Sequence, residues 1–142
     1  MQGGMPADAA VVPVESGARG RVLLVDCELD DLHSYAETLQ REGYEVRTCA
    51  CHCEGLTALE EESFDFVVVC QGTAAFEGRA ILERVKQIDR HIPVLVIARC
   101  HDTRCYIDAI HLGAIDYYEK PLHVSEIVRL VKNSLLYRRP AT

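Results

Sequence analysis

No apolar run in this chain approaches the roughly 20 residues that a membrane-spanning helix needs, so no spanning segment is read from it. The sequence does not open with a basic stretch followed by an apolar one, so no secretory signal is read either. Positive charge is in short supply. Fifteen Lys and Arg stand against 22 Asp and Glu, for a net charge of −7. The basic footprint of a nucleic-acid-binding surface is therefore missing. These absences set the expectation of a cytoplasmic protein that meets neither membrane nor nucleic acid through this chain.

Cysteine is not scarce. Seven are present, at 27, 49, 51, 53, 70, 100 and 105. An odd count in a chain read as cytoplasmic argues against a disulfide framework. It leaves metal binding and thiol redox chemistry to be weighed. The 142 residues fit one domain, and 49% hydrophobic with 26% charged residues suits a compact fold.

Residues 1–20 are rich in Gly, Ala, Pro and Ser without a sustained period, and read as a flexible leader. The domain is placed at 21–139, with 140–142 as a tail or the start of a linker. Within it, apolar runs alternate with amphipathic stretches. Strands are expected over Arg21–Asp26, Tyr44–Cys49, Asp65–Cys70, Pro93–Ala98 and Ile115–Tyr118. Helices are expected over Asp30–Arg41, Glu54–Glu62, Phe76–Ile88, Asp102–Leu112 and Val124–Leu136, with Gly43 and Gly113 as stops and Asp102 as an N-cap. Strands apolar throughout are buried on both faces, as in a parallel sheet covered by helices. Five such units predict a doubly wound α/β domain. Its reactive crevice lies outside the carboxyl ends of the strands. The residues that end the runs thus matter most: Asp26, Cys27 and Glu28, then Cys49 to Cys53, Cys70, Ala98 to His101, and Glu119 with Lys120.

At those ends the chain resembles the receiver domain of bacterial response regulators. Three segments carry the resemblance: LLVDCELDDLHSYAETL; YEVRTC with GLTALEEESFDFVVVC and FEGRAILERVK; and IPVLVIA with AIHLGAIDYYEKP. The resemblance implies a five-stranded parallel sheet of order 2-1-3-4-5 with five helices. It implies two adjacent acids after the first strand and an aspartate after the third that hold Mg²⁺, the latter also accepting a phosphoryl group. It further implies a Ser or Thr after the fourth strand and a Lys after the fifth that bind the phosphate.

Asp26 and Lys120 match this pattern, but Cys27 stands at the second acid, Cys70 at the acceptor and Ala98 at the hydroxyl position. Mg²⁺ prefers oxygen ligands and a thiol serves it poorly, so Mg²⁺ binding is expected weak or absent and aspartyl phosphorylation lost. No cofactor is expected. Tyr117 matches the aromatic position that swings between exposed and buried in the family's switch, and simple packing is an equal alternative for it.

The expectation is an atypical receiver acting by protein–protein contact. Its partner would be another receiver, a histidine kinase or an output domain. Homodimerisation through the face of the fourth helix, fifth strand and fifth helix is a further option. That face includes Tyr106, Ile110, Tyr117, Tyr118 and residues 124–139, with two tyrosines exposed. The alternative is a thiol redox or soft-metal sensor, with Cys27, Cys70 and Cys100 on one rim and Cys49, Cys51, His52 and Cys53 in the loop after the second strand. Against it, free cysteine is commonly an inert small hydrophobe, and Cys105 reads as core. A catalytic pairing of Cys70 with His101 lacks an oxyanion donor and a substrate pocket, so no enzyme activity is expected.

Overall fold

The computed structural model of the protein describes residues 19–136. The tail at 140–142 and most of the leader lie outside that range. Arg19 and Gly20, assigned by the sequence to the leader, already pair with the sheet edge. The Arg19 amide donates to the Gly43 carbonyl (3.0 Å), and the Gly20 carbonyl accepts from the Glu45 amide (2.9 Å).

In chain order the elements are β1 (Arg21–Val25), α1 (Leu29–Arg41), β2 (Glu45–Cys49), α2 (His52–Glu61), β3 (Phe66–Cys70), α3 (Arg79–Ile88), β4 (Val94–Ala98), α4 (Thr103–His111), β5 (Asp116–Glu119) and α5 (Val124–Leu136). The five strands form one parallel sheet of order β2-β1-β3-β4-β5; the sequence pattern predicted the parallel, doubly wound sheet and the resemblance implied this order.

The strand alternation divides the interior into two cores. Leu23, Val25, Val67, Val69, Val94 and Val96 face α2, α3 and α4, where Ala58, Ile81, Leu82, Val85 and Ala109 meet them. Val22, Leu24, Phe66, Val68, Leu95 and Ile97 face the other way, against Leu32, Leu39, Ile127 and Val131 of α1 and α5. Because β3 and β4 lie inside the sheet with helices on both sides, every residue in them is buried. Cys105 and Cys49 belong to the α2–α3–α4 core.

Two boundaries differ from the sequence expectation. Helix α3 begins at Arg79 rather than at Phe76, because Phe76 adopts φ +59. A left-handed residue cannot continue a right-handed helix. Helix α2 begins at His52, with Cys51 as its N-cap. The C-A-C-H-C run is therefore split: Cys49 ends β2, Ala50 and Cys51 lead across, and His52 and Cys53 open α2. Cys51 caps without a side-chain hydrogen bond. Asp102 is the N-cap of α4 as expected, accepting from the Cys105 amide (3.0 Å).

Gly78 fixes where α3 docks. A Cβ built there would lie 2.3 Å from the carbonyl oxygen of Cys70. The absent side chain lets the helix start press against the end of β3, and the Gly78 amide donates to the Gln71 carbonyl (3.0 Å).

Candidate functional site

A cleft of about 330 Å³ opens at the carboxyl edge of the sheet. Asp26, Cys27 and Glu28 enter it from the end of β1, Cys70 from the end of β3, Lys120 from the end of β5, and Cys51 and His52 from the start of α2. This is where a doubly wound sheet places its ligands.

Lys120 organises one wall. Its Nζ lies 2.8 Å from Asp26 Oδ2, 2.7 Å from Glu28 Oε1 and 2.8 Å from Asp31 Oδ2. Burial works against its charge, and the hydrogen bonds to Asp26, Asp31 and Glu28 outweigh that cost, holding the ammonium above its ordinary range. Asp26 and Lys120 are the two positions that keep the family pattern, and they meet here; Glu28 and Asp31 were not foreseen as partners. Asp26 is buried, and its other oxygen accepts from the Glu28 amide (2.9 Å). Arg99 reaches toward the same group, with Nε 3.6 Å from Glu28 Oε2.

The opposite wall is sulfur. One donor atom each from Asp26, Cys27 and Cys70 falls within 4.8 Å of the others. His52 Nε2 lies 3.3 Å from Cys70 Sγ and 2.9 Å from the Cys70 carbonyl oxygen. Burial pushes both thiols above their ordinary range, and for Cys27 the nearby Cys70 and Asp26 add to the effect. Cys27 is exposed and Cys70 buried. The sequence grouped His52 with Cys49, Cys51 and Cys53 and did not place it beside Cys70; it stands 18 positions from Cys70, and the start of α2 brings the two together. Cys51 joins the lining of the cleft. Cys100, grouped by the sequence with Cys27 and Cys70, is exposed and lies outside that lining.

Ala98 ends β4 with its side chain buried, and its carbonyl accepts from the Lys120 amide (2.8 Å). Beyond it, Tyr117 turns inward, 7% exposed. Its hydroxyl donates to the side-chain oxygen of Gln71 and accepts from the Asp102 amide (3.1 Å). Its ring meets His101 (centroids 5.4 Å apart, 83° between planes) and Tyr106 (5.6 Å, 72°) edge to face. His101 therefore stacks on tyrosines, and the histidine beside Cys70 is His52.

Of the tyrosines read as facing outward, Tyr106 is exposed, Tyr118 half-buried and Tyr117 buried. Residues 137–139, counted in the same face, lie outside the described range. Ile107, Ile110 and Ile115 are each at least 40% exposed and join Tyr106 on this side of the molecule.

The response regulator receiver domain model matches residues 22–132, and the chain belongs to that family. The transcriptional regulatory protein PrrA of Mycobacterium bovis is 31% identical over 122 residues, which are 86% of this chain and 52% of PrrA. The chain thus spans about half the length of that relative. A CheY-like receiver domain protein from Methanospirillum hungatei superposes with a TM-score of 0.75 at 26% identity, covering 81% of this chain and 92% of the other. The beryllofluoride-activated NtrC4 receiver domain dimer superposes with a TM-score of 0.73, also at 26% identity, over 82% of this chain and 96% of that one. No helix among the described residues is long and apolar enough to cross a membrane.

Proposed function

We propose that this receiver domain transmits its signal by protein–protein contact without forming an aspartyl phosphate. The observation that carries the reading is the pair of thiols beside Asp26. Cys27 and Cys70 supply two of the three donors clustered at the strand ends, where the resemblance expects carboxylates. Phosphoryl transfer rests on positioning and on charge neutralisation by a hard cation, and Mg²⁺ accepts thiol ligands poorly. Ala98 offers no hydroxyl to a phosphate. Lys120, the remaining cation of the pattern, is occupied by three carboxylates.

The contact surface in this reading is the side carrying Tyr106, Ile107, Ile110 and Ile115, four exposed large apolar side chains of the kind that interfaces cover. Its partner is a second receiver, a histidine kinase or an output domain. PrrA, a transcriptional regulatory protein of about twice the matched length, supports an output domain as one such partner. A dimer through α4, β5 and α5 is the self-associating version, for which the NtrC4 receiver dimer is a precedent in another protein.

Titration with Mg²⁺ and beryllofluoride, followed by NMR, tests the reading. The expected result is an unchanged spectrum around Lys120 and Ala98. Saturable shifts there would overturn it. For the interface, Ile107→Lys with Ile110→Lys is expected to abolish any self-association seen by sedimentation while leaving the fold intact.

A further inference from the structure

The geometry points to a binding site for a borderline-soft divalent cation of the zinc class, with Asp26, Cys27 and Cys70 as its ligands. This goes beyond the interaction role proposed above and does not depend on it.

The donor set decides the chemistry. Two sulfurs and one carboxylate oxygen within 4.8 Å of one another are a poor cage for Mg²⁺, which demands six oxygens in near-octahedral order. They suit Zn²⁺, which takes Cys and Asp in four-coordinate sites. Zinc's ligand distances of about 2.0–2.3 Å place tetrahedral donors roughly 3.5–3.8 Å apart. The observed spread exceeds that by about 1 Å at most.

The surroundings favour a cation. Three carboxylates, Asp26, Glu28 and Asp31, meet one ammonium at Lys120, and Arg99 approaches only Glu28. The wall keeps excess negative charge, which attracts a divalent ion. Cys27 is exposed at the mouth, which gives the ion a path in.

A supporting shell is present as well. His52 Nε2 sits 2.9 Å from the Cys70 carbonyl oxygen and 3.3 Å from Cys70 Sγ. An N–H there holds the end of β3 and donates to the sulfur once it is a thiolate. Lys120 holds the carboxylate of Asp26 from behind. Such outer partners orient metal ligands and set their strength. His52 is therefore a positioning residue, and the fourth coordination place faces the cleft for water or an exogenous ligand.

Co²⁺ is the probe, because thiolate ligands give it charge-transfer absorption and a tetrahedral site gives it strong visible bands. The reduced protein is expected to take one equivalent of Co²⁺ with both signatures, to release it to Zn²⁺, and to keep it against excess Mg²⁺. Cys27→Ser, at an exposed position, and Cys70→Ser are each expected to weaken binding more than about 100-fold. His52→Gln is expected to weaken it about 10–100-fold, the range for an outer-shell partner. Cys53→Ser and Cys100→Ser should bind as the unaltered protein does.

The site is disproved if the unaltered protein shows no thiolate–cobalt band, or if Cys27→Ser binds Co²⁺ with undiminished affinity. The second outcome would move the binding to other thiols. Should Cys70→Ser fail to fold, Cys27→Ser alone decides the matter. The Mg²⁺ and beryllofluoride titration is run on protein stripped of zinc and cobalt, so the phosphorylation reading stands or falls separately.

Discussion

The hydroxyl of Tyr117 donates to the side-chain oxygen of Gln71, joining β5 to the residue that follows Cys70. The same oxygen of Tyr117 accepts from the Asp102 amide at the head of α4. One phenol thus ties the end of the central strand to the helix that carries the exposed isoleucines. This places a mechanical link between the cleft and the proposed contact surface.

Removing that phenol oxygen should be felt. Tyr117→Phe leaves a buried Gln71 oxygen and the Asp102 amide without their partner. A buried polar group left unsatisfied costs about 1–3 kcal/mol. The expected loss, read from urea unfolding, lies in that range. Adding Gln71→Leu should recover part of it, because an apolar pair of similar shape leaves fewer orphans.

Lys120 should be more than a phosphate ligand without a phosphate. Lys120→Met leaves Asp26, Glu28 and Asp31 facing one another. Stripping one partner from a fully buried pair costs 3–5 kcal/mol. Glu28 and Asp31 keep contact with water, so the expected loss is about 2–3 kcal/mol. Combining it with Asp26→Asn should cost less than the sum of the single changes. Additive losses in denaturant titrations would show that the pair is not coupled.

Gly78→Ala tests the close approach of α3 to β3. The new Cβ would fall 2.3 Å from a backbone oxygen, which has no flexible end to move aside. Overpacking of this kind costs about 1–3 kcal/mol. Calorimetry should show a lowered Tm, and NMR should place the disturbance at Cys70 and Gln71.

Tyr35 gives the pH signature of the acidic wall. Burial first, then the charge of Asp31, pushes its phenol from 10.0 up to about 12, with Lys120 opposing. The folded protein keeps this proton where the unfolded chain has lost it. Tyr35's contribution to stability is therefore complete below pH 10 and is lost as pH rises from 10 to about 12. Burial also raises Tyr117 and Tyr118, so tyrosinate absorbance should show several late-ionising phenols, one of which disappears in Tyr35→Phe, and that variant should lose less stability across the window.

The fold was legible because its signals are local and repeated. Phe66–Val67–Val68–Val69 announces a strand buried on both faces, and the helices announce themselves by their apolar stripe. The candidate site was legible only in part. Strand-end logic found Asp26, Cys27, Cys70, Ala98 and Lys120, because the carboxyl edge of a parallel sheet gathers such residues wherever they lie in sequence. It included Cys100 by the same logic, although the chain leaves the cleft before that residue. It named His52 only with its neighbours Cys51 and Cys53, and missed its approach to Cys70, which depends on α2 starting two residues earlier than its apolar pattern suggests. It also missed Asp31, since composition does not say which acid in the first turn of α1 faces inward. Nor does composition tell that Phe76 takes a left-handed turn and delays α3.

The three acids that Lys120 holds lie between residues 26 and 31, near the start of the domain, while Lys120 lies close to its end. A chain emerging in order from the ribosome makes the acids early and must wait some ninety residues (94 for the Asp26 contact) for their counter-charge. Until β5 docks at the edge of the sheet, the wall is a cluster of mutually repelling carboxylates. Its neutralisation therefore waits until the last of the five strands has been made, with only α5 still to follow, and a product truncated before Lys120 carries its own defect, an exposed acidic edge open to proteolysis.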